Sequence, residues 1–337
     1  MNVTLIGIDL AKSVFQVCGV NQAGKPVFNR QVRRSQLLET VIQHPGATVA
    51  MEACSGSNYW GRTFKAQGFD VRLIPPQHVK PFVKGNKNDR NDAFAICEAA
   101  MRPNLRTLTP RTLEQTDIML IHRVLERLMN NRTQLMLQIR GFLQEYGIVL
   151  PAGKERLRRA LPLLLEDATC GLTGYARHCL QDQLEEWQGI DEKIAEQERT
   201  LARQVLTEPA MQRLKTVRGV GDRIASAAFV QLGDGTGYRN GRQFAASLGL
   251  VPKESSSGGK QRLGGITKRG NGYLRYLLIQ GGWSVIAHAY RNEDRLSRWA
   301  RTVIARRGKH KAAVAVANKL ARILWAVAHR QEMYQPA

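Results

Sequence analysis

Hydrophobic and polar residues in the first hundred positions follow a pattern that predicts short strands followed by helices. Val3–Asp9 is a largely apolar run, Val14–Val20 alternates with a period of two, and a turn leads into a third strand at Pro26–Val32. The next segments are predicted as a helix at 35–44, a strand at 47–52, a helix at 58–67, a strand at 70–74 and a helix at 88–101. This βββαβαβα order is typical of a ribonuclease-H-like domain, in which the first and fourth strands are neighbours.

The middle of the chain carries two long helical patterns. Apolar residues recur every three or four positions at 113–146 and again at 176–206. These stripes predict either a helical hairpin within one chain or a coiled coil between chains, and the sequence leaves both open. Pro151 and Pro162 predict a break between the two patterns.

The last third is rich in glycine and arginine and is predicted to be mainly helical. Leu214–Gly221 followed by Asp222–Val230 resembles a helix-hairpin-helix element, and Phe244–Pro252 predicts a short helix that runs into a flexible stretch at 255–259. Three closing helices are predicted at 273–290, 293–306 and 311–330. The fold class is therefore α/β plus α, with an α/β domain at 1–108, a helical coiled-coil region at 109–210 and a mainly helical domain at 211–337.

The charge of the chain indicates a polyanionic partner. Its 337 residues carry a net charge of +22. Residues 211–337 alone hold 23 lysines and arginines against 6 acidic residues. An excess of this size is typical of proteins that bind nucleic acid, and the last third is the main candidate for that contact.

Cysteine usage and hydropathy bear on the cellular compartment. The five cysteines are scattered and form no CxxC pair, which favours reduced thiols over disulfides or a zinc site. No signal peptide and no apolar run of membrane-spanning length is expected. The predicted location is the cytoplasm, with no membrane partner.

Four carboxylates in the first third form a candidate metal site. Asp9 and Glu52 end two strands that are expected to be adjacent, and Asp89 and Asp92 lie three apart on one helix face. Phosphodiester chemistry uses Mg²⁺ held by converging carboxylates, so the pattern predicts a Mg²⁺ site. Each acid alone also has a structural interpretation, such as Asp89 as a helix cap and Asp92 as a partner of the helix dipole.

A second candidate site is the serine segment Ser255–Lys260, with sequence SSSGGK. A serine hydroxyl needs activation, and no histidine lies close in sequence. Lys260, Lys268 and Arg275 can instead hold a scissile phosphate and stabilise the charge of its transition state. From the residues alone, a polar linker beside a phosphate-binding helix is the simpler interpretation.

Contacts to nucleic-acid backbones are predicted at several glycines and cations. The Gly-x-Gly turn in Val217–Gly221 presents free amides to a phosphate without reading sequence. The basic tract at 306–311 also predicts phosphate contacts with a steep salt dependence. The predicted nucleic-acid-binding residues are Arg218, Gly219, Gly221, Lys260, Lys268, Arg269 and Arg275.

Together and in this order, these motifs resemble the DEDD insertion-sequence transposases of the IS110 kind, relatives of the Piv and MooV DNA invertases. The resemblance spans nearly the whole chain. The matching segments are GIDLAK at 7–12, MEA at 51–53, KNDRNDA at 87–93, VRGVG at 217–221, FAASLGLVP at 244–252, SG at 257–258, ITKRG at 266–270 and LR at 274–275.

The resemblance implies a RuvC-like domain, a coiled-coil region and a C-terminal transposase domain with a nucleophilic serine. It implies that the acids corresponding to Asp9, Glu52, Asp89 and Asp92 bind Mg²⁺. It also implies that the serine attacks a DNA phosphate and that strands are exchanged through a covalent phosphoserine link without free double-strand breaks. The family motif places this serine five residues after a proline and before a glycine, which selects Ser257 here, with Ser256 as the second choice.

The resemblance also implies partners. These are target and donor DNA, a structured bridge RNA that pairs with both, and further copies of the chain, as dimers that assemble into tetramers. The resemblance implies that, in this assembly, the acids of one subunit and the serine of another form a composite site. The expected protein is a Mg²⁺-dependent transposase and DNA recombinase, associated with the nucleoid during activity.

Two rival functions are a RuvC-like hydrolytic nuclease that uses water on branched DNA and a non-catalytic nucleic-acid-binding protein. The Ser-Gly segment argues against the nuclease. The intact set of four acids argues against the binding protein.

Overall fold

The computed structural model describes residues 2–85 and 88–336. The chain divides into two compact units, Met1–Thr116 and Asp117–Ala337. The predicted three-part division at residues 108 and 210 stays a prediction. Lys87, which opens the KNDRNDA segment, lies outside the described residues.

The first unit contains a mixed five-stranded sheet in the order β3-β2-β1-β4-β5. Its strands are β1 Leu5–Asp9, β2 Val14–Val20, β3 Pro26–Arg33, β4 Thr48–Glu52 and β5 Val71–Ile74. Its helices are α1 Leu37–Ile42, α2 Ser57–Ala66, α3 Pro76–Val79 and α4 Asp89–Ala100. The predicted order of elements is present, and β1 is central and parallel to β4.

Helices cover both faces of this sheet. Because side chains alternate between the faces of a strand, Met51 and Ala50 of β4 enter different cores. Met51 packs in a core that includes Trp60 and Phe64 of α2. Ala50 packs in a second core that includes Ile96 and other residues of α4. The sheet is therefore the middle layer of the unit, with α2 and α4 on opposite sides.

The rest of the chain is mainly helical. Its elements are α5 Leu113–Glu145, α6 Lys154–Glu166, α7 Gly174–Thr207, α8 Pro209–Lys215, α9 Asp222–Leu232, α10 Gly241–Ser247, β6 Pro252–Glu254, β7 Leu263–Ile266, α11 Gly272–His288 and α12 Arg295–Arg330. Helix α12 bends at Gly308, where φ is 76°, so its two halves correspond to the last two predicted helices. Within 2–85 and 88–336, no helix has the length and apolar content that a bilayer crossing requires.

The apolar stripes of α5 and α7 are buried within one chain. Leu128 of α5 and Leu184 of α7 belong to the same core. Arg132, which interrupts the stripe of α5, lies 2.7 Å from the Asp191 carboxylate of α7. Burial raises the pKa of Asp191, but hydrogen bonds from Arg132 and Lys154 outweigh burial and hold that pKa below its ordinary value. The intrachain arrangement is thus present, and pairing between chains stays a prediction.

The predicted break between the two long helices is present, since α5 ends at Glu145 and α7 begins at Gly174. Pro162 does not itself make that break, because it lies inside α6. Leu157 and Leu161 of α6 are completely buried, and this packing outweighs the single N–H donor that a proline removes. The stretch 255–259 belongs to the connection of a β-hairpin formed by β6 and β7, and its flexibility stays a prediction.

A buried histidine joins three helices of the second unit. The His122 ring on α5 has Nδ1 3.0 Å from the Tyr273 hydroxyl on α11, and Nε2 3.0 Å from Ser226 Oγ on α9. Ser226 donates its hydroxyl proton to the carbonyl oxygen of Asp222, so it accepts from Nε2–H, and Tyr273 donates to Nδ1. Burial, followed by the charge of Arg223, lowers the pKa of His122 to about 4.

This neutral histidine makes stability depend on pH. The folded pKa of about 4 lies below the ordinary 6.5, so the unfolded chain takes up the proton first as pH falls. The neutral His122 ring contributes about 3 kcal/mol to the free energy of unfolding. This contribution is complete above pH 6.5 and is lost as pH falls from 6.5 to 4. We expect His122→Gln to remove this part of the pH dependence in urea unfolding measured across that range.

The matched control is His178→Gln, which changes an exposed histidine of α7 and should keep the wild-type slope. A wild-type slope in His122→Gln would contradict the assigned burial of the neutral ring.

Candidate metal centre and serine hairpin

Two of the four predicted acids lie at the carboxyl ends of neighbouring parallel strands. Ile8 of β1 is opposite Met51 of β4. The next residues along these strands are Asp9 and Glu52, which end them. Because parallel strands run in the same direction, both carboxylates lie at one edge of the sheet.

Helix α4 brings the other two acids to the site. Asn88 caps the helix, with its side-chain oxygen accepting from the Asn91 N–H at 2.8 Å. Asp89 and Asp92 therefore both lie in the first turn, where the helix dipole favours negative charge. The cap is Asn88 and not Asp89, so the capping interpretation of Asp89 is wrong.

A glycine in the central strand allows α4 to approach closely. A methyl group on Gly7 would lie 2.5 Å from Cys97 Sγ and 2.6 Å from the carbonyl oxygen of Ala93. Both contacts are shorter than atoms tolerate in a packed interior. Gly7 and Asp9 lie two positions apart and so face the same side of the sheet. The contact at Gly7 therefore brings the first turn of α4 within reach of Asp9.

Three carboxylates converge as a result. One oxygen each from Asp9, Asp89 and Asp92 lies within 4.8 Å of the others. Glu52 does not belong to this close group. Burial raises the pKa of Glu52, and the negative charge of Asp92 raises it further, so Glu52 lies near enough to the group to be affected by its charge. Oxygen donors that converge in this way suit a hard divalent cation such as Mg²⁺, whose charge would relieve their mutual repulsion. The donor set thus fits the metal that the sequence predicts.

A cysteine also lies near these acids. Cys54 follows Glu52 by two residues and is exposed. Burial of its sulfur, followed by the charges of Glu52 and Asp9, raises the pKa of the Cys54 thiol. The close group of ligand atoms does not include this thiol, and Mg²⁺ prefers oxygen donors.

The serine segment forms the tip of the hairpin of β6 and β7. The backbone of Ser257 pairs with that of Lys260. Gly258 and Gly259, between them, have φ values of 55° and 74°. Two positive φ angles at the central positions are typical of a type I′ turn, for which a Gly-Gly pair is well suited. Every residue from Pro252 to Gly265 is exposed, so solvent surrounds this tip.

The two candidate nucleophiles differ in their hydrogen bonds. Ser256 Oγ donates to Glu254 Oε1 at 2.7 Å and accepts from the Arg262 N–H at 3.2 Å. Within the described part of the chain, the Ser257 hydroxyl has no hydrogen-bond partner, and the residue is exposed. Ser256 therefore stabilises the hairpin, whereas Ser257 can turn its hydroxyl towards a ligand.

The predicted phosphate-binding cations near this tip also differ in whether their side chains are exposed or hydrogen-bonded within the chain. Lys260, Lys268 and Arg269 are exposed. Arg275 instead donates from Nη1 to the carbonyl oxygens of Leu248 and Arg269, at 2.9 Å and 3.1 Å. Arg275 thus helps to fix the loop that carries the exposed Lys268 and Arg269.

Structural contacts account for much of the Gly-x-Gly turn. Arg218 Nε lies 3.0 Å from the Asp294 carboxylate. A methyl group on Gly219 would lie 2.8 Å from the carbonyl oxygen of Gly281 on α11, so close packing requires glycine there. Gly221 is the cap residue before α9. Phosphate binding by this turn stays a prediction.

Two residues that shape the sites, Glu254 and Gly7, were not predicted as site residues. Glu254 accepts a hydrogen bond from the Ser256 hydroxyl. The sequence feature that could have predicted this contact is the Gly-Gly pair, which favours a hairpin that brings the two residues together. Gly7 carried no such signal, because the helix that it accommodates is far along the chain.

Comparison with known proteins supports one family over the whole chain. The family described as "Transposase IS116/IS110/IS902 family" matches residues 211–301, which include Ser257. A second transposase family, of the DEDD IS110 type, matches residues 6–148, which include the four acids.

Curated relatives match along nearly their whole length. The transposase for insertion sequence element IS1111A of Coxiella burnetii is 42% identical over 99% of this chain and 92% of its own. The chain belongs to the IS110/IS116 family of transposases. A probable family 20 transposase of Pseudomonas aeruginosa is 43% identical over 100% of both chains. The transposase for IS1328 of Yersinia enterocolitica is 39% identical over 97% of both.

The contact at Gly7 gives a test of how the acids are positioned. We expect Gly7→Ala to lower the free energy of unfolding by about 1–3 kcal/mol, because α4 must move away from β1. The measurement is urea unfolding of the full chain. The matched control is Gly265→Ala in β7, where a methyl group meets nothing within 4 Å and the change should stay within about 0.5 kcal/mol. Equal stability of Gly7→Ala and wild type would contradict the close approach.

Proposed function

We propose that this transposase cuts and rejoins DNA strands of an insertion sequence with Ser257 as the nucleophile and the acids of a ribonuclease-H-like domain as a Mg²⁺ site. The observation that carries the proposal is the exposed Ser257 hydroxyl, which has no partner in the described part of the chain and lies on a hairpin tip beside Lys260. The converging carboxylates add the second half of the chemistry.

Asp9, Asp89 and Asp92 would hold the cation, with Glu52 alongside. When bound, Mg²⁺ supplies Lewis-acid stabilisation of phosphate oxygens and of the attacking and leaving groups. The residues fit this role because they offer only oxygen donors and because three negative charges within 4.8 Å need a counter-charge.

The serine chemistry balances without an external energy source. A bond forms between Ser257 Oγ and the phosphorus as the bond from phosphorus to one deoxyribose oxygen breaks. The serine hydroxyl loses its proton, and the departing oxygen gains one. The hydroxyl of a second strand then attacks the phosphoserine and releases the serine. Exposed Lys260 and Lys268 can hold the non-bridging oxygens during both steps.

The proposal extends to the partners. The net charge of +22, concentrated in the last third, suits a chain that binds target DNA, donor DNA and a bridge RNA through their backbones. If the RNA reads sequence by base pairing, the protein needs only backbone contacts, as in other guided systems. The acids and the serine belong to different compact units. In the proposed assembly, dimers form tetramers in which the acids of one subunit meet the serine of another.

A covalent adduct tests the nucleophile. The full chain is incubated with Mg²⁺, RNA transcribed from the DNA that flanks its gene, and DNA that spans the ends of the element, and it is then denatured. We expect a protein–DNA adduct that is lost in Ser257→Ala and in Asp9→Ala. Ser256→Ala is the matched control and should keep the adduct, because its hydroxyl is used inside the hairpin.

Other outcomes select other functions. Loss of the adduct in Ser256→Ala alone would overturn the choice of serine. Cleavage without an adduct would favour a hydrolytic nuclease, and no reaction would leave a binding protein. A mixture of Asp9→Ala and Ser257→Ala chains should regain the adduct on the Asp9→Ala chain if the site is composite between subunits.

A further inference from the structure

An aromatic cluster in the first unit has no role in the proposed chemistry. It consists of Phe15, Arg34, Tyr59 and Trp60, and we call it the Tyr59 cluster. The Arg34 guanidinium carbon lies 5.4 Å from the centre of the Trp60 ring, 5.8 Å from that of Phe15 and 5.9 Å from that of Tyr59. One arginine is thus shared by three rings, which is the geometry of cation–π attraction.

Only part of this cluster belongs to the core. Phe15 and Trp60 are buried, but Tyr59 is 53% exposed. The Tyr59 ring meets Trp60 edge-on, with centres 5.3 Å apart and an angle of 78° between the planes. Arg34 is also exposed. Core packing therefore explains the position of Trp60. It does not explain why the Tyr59 ring and the Arg34 guanidinium lie side by side in solvent.

The sheet places this cluster at the edge that carries the acids. Strand β3 runs in the same direction as β1, since each is antiparallel to β2. Arg33 at the end of β3 lies opposite Val14, so it extends past Gln16, the residue opposite Asp9. Arg34 follows directly and donates to the carbonyl oxygen of Lys12, three residues after Asp9.

The other half of the cluster follows Glu52 in the chain. Helix α2 begins at Ser57, only five residues beyond Glu52, the end of β4. Tyr59 is therefore in the first turn of α2, near the carboxyl end of β4. Arg33 and Lys12 are exposed and add positive charge to the same edge.

We propose that Tyr59 and Arg34 form a stacking site for an unpaired nucleobase of a nucleic-acid strand that reaches the carboxylates. Aromatic rings stack on the face of any base, and an adjacent arginine adds to that attraction. Exposed Lys12 and Arg33 suit the neighbouring phosphates. A base inside a duplex is covered on both faces by its neighbours, so the ligand is a single strand, an unpaired end or a flipped base.

This inference rests on the proposed function in one respect, namely that the stacked nucleic-acid strand continues to the carboxylates. Binding by stacking needs neither Mg²⁺ nor cleavage, so it is measured separately. A transposase that stacks bases on Tyr59 but forms no serine adduct would contradict the recombination chemistry alone. One that forms the adduct without base-dependent binding at Tyr59 would contradict the stacking site alone.

The experiment measures fluorescence anisotropy of labelled oligonucleotides with the full chain in EDTA. High salt suppresses phosphate contacts relative to stacking. Each single strand is compared with a matched strand of the same length that carries abasic sites. We expect Tyr59→Ala to weaken binding of the base-bearing strand by about tenfold and to leave the abasic strand unchanged.

Three variants control for structure. Tyr59→Phe and Tyr59→Trp keep a ring and should keep the base-dependent affinity. Tyr175→Ala removes another exposed tyrosine, on α7, and should bind both strands as the wild type does. If Tyr59→Ala fails to fold, a wild-type base-to-abasic ratio in Tyr59→Leu would overturn the proposal.

Strand type is resolved in parallel with DNA, RNA and duplex arms. An effect of Tyr59→Ala on single strands of DNA, RNA or both supports the stacking site and names its ligand. An equal loss on base-bearing and abasic strands, or no loss on either, would overturn it, as would an equal effect on the duplex.

Discussion

The contact between α4 and β1 at Gly7 sets the spacing on which the carboxylate group depends. Without a side chain at Gly7, Ala93 and Cys97 come close to the strand, and the first turn of α4 carries Asp89 and Asp92 to Asp9. At an effective dielectric constant of 20, two unit charges 4.8 Å apart repel by about 3.5 kcal/mol, and by less where solvent screens the exposed Asp89. Packing of α4 on the sheet holds these charges together against their repulsion.

A second constraint separates residues that build the sites from residues that remain open to a ligand. Ser256, Arg275 and Arg218 are engaged in contacts that shape the hairpin, the adjacent loop and the Gly-x-Gly turn. Ser257 and Lys260 are exposed at the hairpin tip. Ser257 and Lys260, which are proposed to contact a phosphate, are thus held in place by neighbouring residues that are already hydrogen-bonded within the chain.

Local patterns predicted much of the first unit. Alternating and apolar runs predicted the strands, and the neighbour relation of β1 and β4 followed from the order of elements. That relation placed Asp9 beside Glu52. The sequence did not predict that Glu52 lies outside the closest group of oxygens, because this depends on how far α4 advances along the sheet. Nor did it predict that Pro162 stays inside a helix, because burial of Leu157 and Leu161 decides that outcome.

The most direct test of the carboxylate site is Mn²⁺ binding to the full chain without nucleic acid, followed by electron paramagnetic resonance of the free ion. We expect saturable binding that weakens by roughly tenfold or more in Asp92→Asn, because a charged ligand becomes a neutral amide. Glu52→Gln should weaken binding less, since Glu52 lies outside the close group, and Asp70→Asn, a surface acid of the same unit, should not change it. Equal affinity in the wild type and Asp92→Asn would contradict a metal site at Asp9, Asp89 and Asp92.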